Sequence, residues 1–189
     1  MIRRINNLIK KSTLIIKDDG VLRFAKRAAK YAYYKKFPDR KNKEYKDILF
    51  INGCTLPHPE RYRVAHQIEQ LISQGLTADS VFYDRLSLDQ LKYYRGFVFF
   101  RCPITDTVRN FIKQANYFNK TCFFDIDDLV IDQKYTDSIE YVQKMSDEDK
   151  RLYNDGVNRM RETLTLCSHA ITTTTQLQEE LQKYIKGQV

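Results

Sequence analysis

Short, unbroken apolar runs separated by amphipathic stretches restrict most strongly how this chain can fold. Ile48-Leu49-Phe50-Ile51, Phe97-Val98-Phe99-Phe100 and the start of Phe123-Phe124-Asp125-Ile126 show no alternation of apolar and polar residues. A strand with one face in water alternates, so continuous runs of this length predict strands buried on both faces. Between them the period changes to that of helices. Val64, Ile68, Leu71 and Ile72 share one face before Gly75, and Val108, Phe111, Ile112 and Ala115 share another after a cap at Thr105 or Asp106. A short strand is expected from Ser80 to Tyr83, a short helix through Leu86, Leu88 and Leu91, and a long polar helical region over 137–166. A last strand, Ala170-Ile171-Thr172, leads into a helix through Leu177 and Leu181. Repeated β-α units of this kind predict an α/β, Rossmann-like fold with a mostly parallel sheet and helices on both faces. The 189 residues, 42% of them hydrophobic, suit one such domain with an appendage.

Charge locates the appendage. Residues 1–46 hold 15 Lys/Arg and 4 Asp/Glu, a net of +11, whereas residues 47–189 hold 17 and 20, a net of −3. The first segment is therefore expected to be a basic helical leader and linker, and residues 47–189 the globular domain. Ile2, Ile5, Leu8 and Ile9 fall at helical spacing, and after Asp18-Asp19-Gly20 a second stripe runs through Val21, Leu22, Ala25, Ala28, Ala29 and Ala32. Arg23, Lys26, Arg27 and Lys30 lie largely opposite it, and Tyr31, Tyr33, Tyr34 and Phe37 add interfacial aromatics. A basic amphipathic segment over residues 1–37 suits an anionic membrane surface. Nucleic acid is not the expected partner, because the basic charge stays in the leader and no base-reading motif accompanies it. No apolar run approaches the roughly 20 residues that cross a bilayer, and no secretory signal precedes the leader. The four cysteines, Cys54, Cys102, Cys122 and Cys167, are scattered and read as buried free thiols of a reducing cytoplasm.

Four segments are expected at carboxyl ends of strands, where open α/β sheets bind ligands. They are the loop from Gly53 through Arg61-Tyr62-Arg63, the Arg101-Cys102-Pro103 turn, the carboxylates Asp125, Asp127 and Asp128, and Thr172-Thr173-Thr174-Thr175. Three like charges within four residues repel one another and resist burial, which marks them as candidates for acid–base work. Arg61 and Arg63 are expected in the first turn of a helix, where amides, dipole and guanidinium together favour an anion. Arg101 is expected either to pair with Asp125 or to touch a ligand. His58, between two prolines, is a candidate for catalysis or acceptor binding. No Gly-x-Gly-x-x-Gly and no phosphate-binding Walker loop is present, so no nucleotide cofactor is expected.

These residues resemble a group of bacterial GT-B glycosyltransferases that build surface polysaccharide, including rhamnan-synthesis-F-like proteins. The likeness rests on Arg61-Tyr62-Arg63-Val64 after a Pro/His-rich loop, the Phe99-Phe100-Arg101 strand, Phe124-Asp125-Ile126-Asp127-Asp128-Leu129, and Ser168-His169-Ala170-Ile171-Thr172-Thr173-Thr174. It spans roughly residues 20–185, and the motifs are specific together rather than singly. It implies an acceptor-side N-terminal half at the inner face of the cell membrane, acting on a glycan or lipid-linked acceptor. Its partner would be a C-terminal donor domain, absent from this chain, that binds the nucleotide sugar. The resemblance implies Asp125, Asp127 and Asp128 as candidate catalytic residues in the interdomain cleft, Arg61, Tyr62, Arg63, Arg101 and His58 as candidate substrate-binding residues, and no metal. Two other likenesses stand beside it. Asp125-x-Asp127 is similar to the metal-binding pair of GT-A glycosyltransferases. Phe124-Asp125-Ile126-Asp127-Asp128 resembles the nucleophile motif of haloacid-dehalogenase-like phosphatases, although Leu129 departs from that pattern. A non-catalytic module on the same fold is the remaining alternative.

Overall fold

In a computed structural model of the chain, the described residues are Val21, Ala25, Ala29 and 44–189. The chain divides into two units, Met1–Asn42 and Lys43–Val189. Of the expected basic leader and linker over 1–46, Val21, Ala25 and Ala29, which are helical, and 44–46 are described, and Lys46 already opens the first strand, one residue before the expected boundary; the rest lies outside the described residues.

The second unit is α/β and Rossmann-like. Its five strands are β1 (Lys46–Asn52), β2 (Ala78–Phe82), β3 (Tyr94–Phe100), β4 (Thr121–Asp125) and β5 (His169–Ile171). All pair in parallel in the order β2-β1-β3-β4-β5. In register, Ile51 lies beside Phe99, Phe99 beside Phe124, and Phe124 beside Ala170. The unbroken apolar runs are explained by burial on both faces. On one face Leu49, Ile51, Phe97, Phe99, Cys122 and Phe124 meet Val108, Phe111, Ile112 and Ala115 of α2 (Asp106–Tyr117). The Phe111 ring stands edge-on to Phe97 and Phe99, with centroids 4.8 and 6.2 Å away. Each such ring, fully buried, contributes about 2–3 kcal/mol. On the other face Phe50, Val98 and Phe100 meet Val64, Ile68 and Leu71 of the first helix.

That helix, α1, is one rod over 57–73 built of three pieces: an α turn at Pro57–Glu60, a π-helical stretch at Arg61–Ala65 and an α-helix at His66–Ser73. It starts with Pro57 because proline has no N–H to leave unpaired at a helix's first position. Arg61 and Arg63 therefore lie beyond the first turn, not in it. The expected anion site at the helix N-terminus is corrected accordingly, because the field of a helix end fades within one turn.

The long helical region is also interrupted. After α3 (Gln133–Thr136) and α4 (Glu140–Gln143), Ser146 starts a new helix, α5 (Asp147–Leu166), its hydroxyl accepting the Asp149 N–H at 3.2 Å. The short helix expected through Leu86 to Leu91 is a 3-10 turn, Leu88–Lys92, closed by a capping box between Ser87 and Gln90. Thr105 caps α2, its hydroxyl accepting the Val108 N–H at 3.1 Å. The strand expected at Ser80 begins at Ala78, and β5 begins at His169, one residue before its expected start. The final helix, α6, spans Thr175–Leu181.

Candidate functional site

With strand order 2-1-3-4-5, chain connections leave β1 and β3 in opposite directions, and the crevice outside their carboxyl ends is where such sheets bind ligands. All four expected segments come to this edge, and backbone bonds lace them together. Gly53 N–H donates to the Phe100 carbonyl at 2.8 Å, Arg101 N–H to the Asp125 carbonyl at 2.9 Å, and Ile126 N–H to the Ile171 carbonyl at 3.1 Å. The Thr172 hydroxyl donates to the Ile126 carbonyl at 2.8 Å. Gly53 is required where the first two loops cross. A Cβ there would stand 2.4 Å from both the Arg101 carbonyl oxygen and the Cys102 Cα, far inside van der Waals contact.

Two ion pairs lie across the edge. Asp125, the last residue of β4, is 2% exposed. Arg63 reaches it from the π-helical stretch: Nε donates to Oδ1 at 3.1 Å and Nη2 donates to the same oxygen. Single π turns inside α-helices shift the register of side chains and recur at functional sites. Here Val64 is fully buried and Arg63 faces the sheet edge, while Arg61 and Tyr62 face outward. Arg61 pairs with Glu69 of the same helix at 2.9 Å, and Tyr62 is 61% exposed, its ring edge-on to His66. His58 is exposed in the first turn of α1. Of the residues expected to bind substrate, Arg63 and Arg101 thus meet the carboxylates, while His58, Arg61 and Tyr62 stand on the outer side.

Arg101 pairs with Asp127, Nε donating to Oδ1 at 2.6 Å, and not with Asp125 as one expectation had it. The backbone explains the difference. Arg101 has φ 42°, a left-handed conformation costing about 1–3 kcal/mol in a residue other than glycine. It turns the chain sharply at the end of β3, and the guanidinium rests over the Phe100 ring at 5.9 Å. The Asp125 carboxylate is already bound by Arg63.

Burial pushes the Asp125 carboxyl up to about 6. The Arg63 bond and charge oppose that shift, the Asp127 charge adds to it, and Arg101 opposes it. Burial outweighs the ion pair, as expected when a carboxylate loses nearly all its water. Asp128 differs from both neighbours: it is exposed, and its Oδ1 accepts the adjacent Leu129 N–H at 2.8 Å. Tyr153 of α5 is half-buried within the fields of Asp128 and Arg101; burial first, then the Asp128 charge, pushes its hydroxyl up. Sequence reasoning missed Tyr153, one of thirteen tyrosines, in a polar helix whose orientation only packing decides.

The carboxylates of Asp125 and Asp127 face different arginines. Among the described residues no group of three or more His, Cys, Asp or Glu is arranged to hold a metal ion. All four cysteines are buried and free, and burial pushes the Cys122 thiol up to about 12. Open clefts of about 370 and 430 Å³ run along β5. The first is lined by Thr172 to Thr175 at the carboxyl edge, the second by Phe123 and His169. Comparison with protein-family models, with curated proteins and with solved structures finds no match to this chain.

Proposed function

We propose that this domain is the acceptor-side half of a two-domain GT-B glycosyltransferase of cell-surface polysaccharide synthesis. It works at the inner face of the membrane on a glycan or lipid-linked acceptor, and the nucleotide sugar is held by a C-terminal donor domain. The observation that carries the reading is the division of labour among the three aspartates at the β1/β3 crevice. Two are held by arginines, and the third is exposed beside a tyrosine.

Sugar transfer needs an acceptor hydroxyl deprotonated as its oxygen attacks the sugar carbon, and the leaving diphosphate stabilised. Asp128 has the access to take that proton. Asp125 does not; it positions Arg63 and through it the start of α1. Asp127 holds Arg101 over the crevice, where its charge can orient an acceptor. Stabilising the diphosphate falls to the donor domain. The phosphatase alternative asks Asp125 to attack phosphorus directly, and a carboxylate 2% exposed and doubly bonded by Arg63 is poorly placed for that.

The test is made in the native cell, with the protein at its natural length. Asp128→Asn is expected to remove one sugar from the surface polysaccharide while the protein stays at its usual level. An unchanged polymer would refute the reading.

A further inference from the structure

Arg101 is costly where it stands. Its left-handed φ of 42° strains a residue with a side chain, and a glycine would make the same turn without strain. The return within the protein is small. The ion pair with Asp127 keeps contact with water, the two side chains being 19% and 22% exposed, and such a pair adds little to stability. The Phe100 ring lies 5.9 Å away, at the outer limit of a cation–π contact. The pair is also joined through one nitrogen and one oxygen. Nε donates to Oδ1 at 2.6 Å, and among the described residues no further hydrogen bond is made by this guanidinium or this carboxylate. Nη1 and Nη2 are left as donors, with the second carboxylate oxygen as an acceptor on the same pair. Arg63 differs, since its Nε and Nη2 are both engaged by Asp125.

We propose that the Arg101–Asp127 pair reads a vicinal diol of an uncharged sugar, so that the crevice takes a neutral glycan end and refuses a uronic acid or a sugar phosphate. A hydroxyl is donor and acceptor at once, and two adjacent ones match what the pair offers. Each accepts from a guanidinium N–H, and one donates to Asp127 Oδ2. An anion finds no such match. Two arginines, Arg63 and Arg101, meet three aspartates, Asp125, Asp127 and Asp128, a net charge of −1 with all ionised. The exposed aspartate, Asp128, has no arginine partner among the described residues, so its charge faces whatever enters. The helix that starts at this edge offers an anion no substitute, because two of its first three residues, Pro57 and Pro59, carry no N–H. The inference rests on the acceptor reading of this crevice and adds to it the class of sugar.

The full chain, isotope-labelled for nuclear magnetic resonance, is titrated with the methyl glycosides of glucose, galactose and mannose, and with those of glucuronic and galacturonic acid. The Arg101 Nε–H resonance reports the pair. At least one neutral glycoside should move it, and the corresponding uronide, or a deoxy analogue lacking one hydroxyl of the diol, should bind at least about tenfold more weakly. Arg101→Lys keeps the charge but loses the planar fork, and should weaken the neutral glycoside by at least about tenfold as well. Arg101→Gly should lose the binding yet unfold in urea at an equal or higher midpoint, because it relieves the strained turn. A uronide bound more tightly than its neutral counterpart would overturn the neutral class and leave the acceptor reading standing. Neutral binding that survives Arg101→Gly would overturn the role of the pair. A lowered urea midpoint for Arg101→Gly would overturn it by making the arginine structural. No shift at the crevice with any of the glycosides would overturn the acceptor reading together with the inference.

Discussion

Arg63→Met separates the ion pair from the hydrophobic packing at the candidate site. The variant keeps an apolar stem of similar length but removes both donors to Asp125. Removing one partner of a buried pair typically costs about 3–5 kcal/mol, because the other charge is left in low dielectric. The cost depends on pH in a direction that can be worked out. Asp125 has a folded value of about 6 against 3.8 for the free side chain. A raised carboxylate contributes stability that is fully present below pH 3.8 and lost as pH rises through about 6. Arg63 works against that loss, so its contribution is largest where Asp125 is ionised. In the variant the opposing bond and charge are gone, and the carboxyl moves further up and stays protonated at pH 7. Urea unfolding at pH 8 should therefore show the midpoint lowered by on the order of 1–3 M, and at pH 5 by distinctly less. Adding Asp125→Asn to Arg63→Met should remove the pH dependence of the difference. Equal loss at pH 5 and pH 8 would refute the argument, since the arginine would then be acting through packing alone.

Gly53→Ala should cost about 1–3 kcal/mol or more in urea unfolding, because its Cβ meets backbone that cannot rotate away; a neutral effect would mean that the β1 and β3 loops do not touch as described. Thr105→Ala should cost about 1 kcal/mol through loss of the α2 cap, measured in the same way. Asp128→Asn should leave stability within about 0.5 kcal/mol of the parent, since that carboxylate is exposed; a larger loss would make it structural and weaken its assignment as base. A chain beginning at Lys43, the start of the second unit, should fold but fail to sediment with phosphatidylglycerol vesicles that retain the full chain; equal retention would assign binding to the globular unit alone.

Much of this architecture is local and could be read from the chain directly. The runs at 49–51 and 97–100 are buried in strands because nothing polar interrupts them, and Thr105 caps a helix because its hydroxyl lies three residues from an orphan N–H. That Arg63, Arg101 and the aspartates share one edge also follows from sequence, since parallel strands joined by helices all end on the same side. Local signals failed where competing minima are close in energy. Ser146 restarts a helix that periodicity alone would have continued, and β2 extends to Ala78 because pairing with Ile48 outweighs a weak strand propensity. The pairing inside the site was decided by tertiary structure alone. Whether Arg61 or Arg63 faces Asp125 depends on one π turn, and whether Arg101 meets Asp125 or Asp127 depends on one left-handed residue. Neither leaves a compositional mark. Charges in contact here are 26 and 62 residues apart, and only the packing of α1, β3 and β4 brings the chosen atoms within bonding distance.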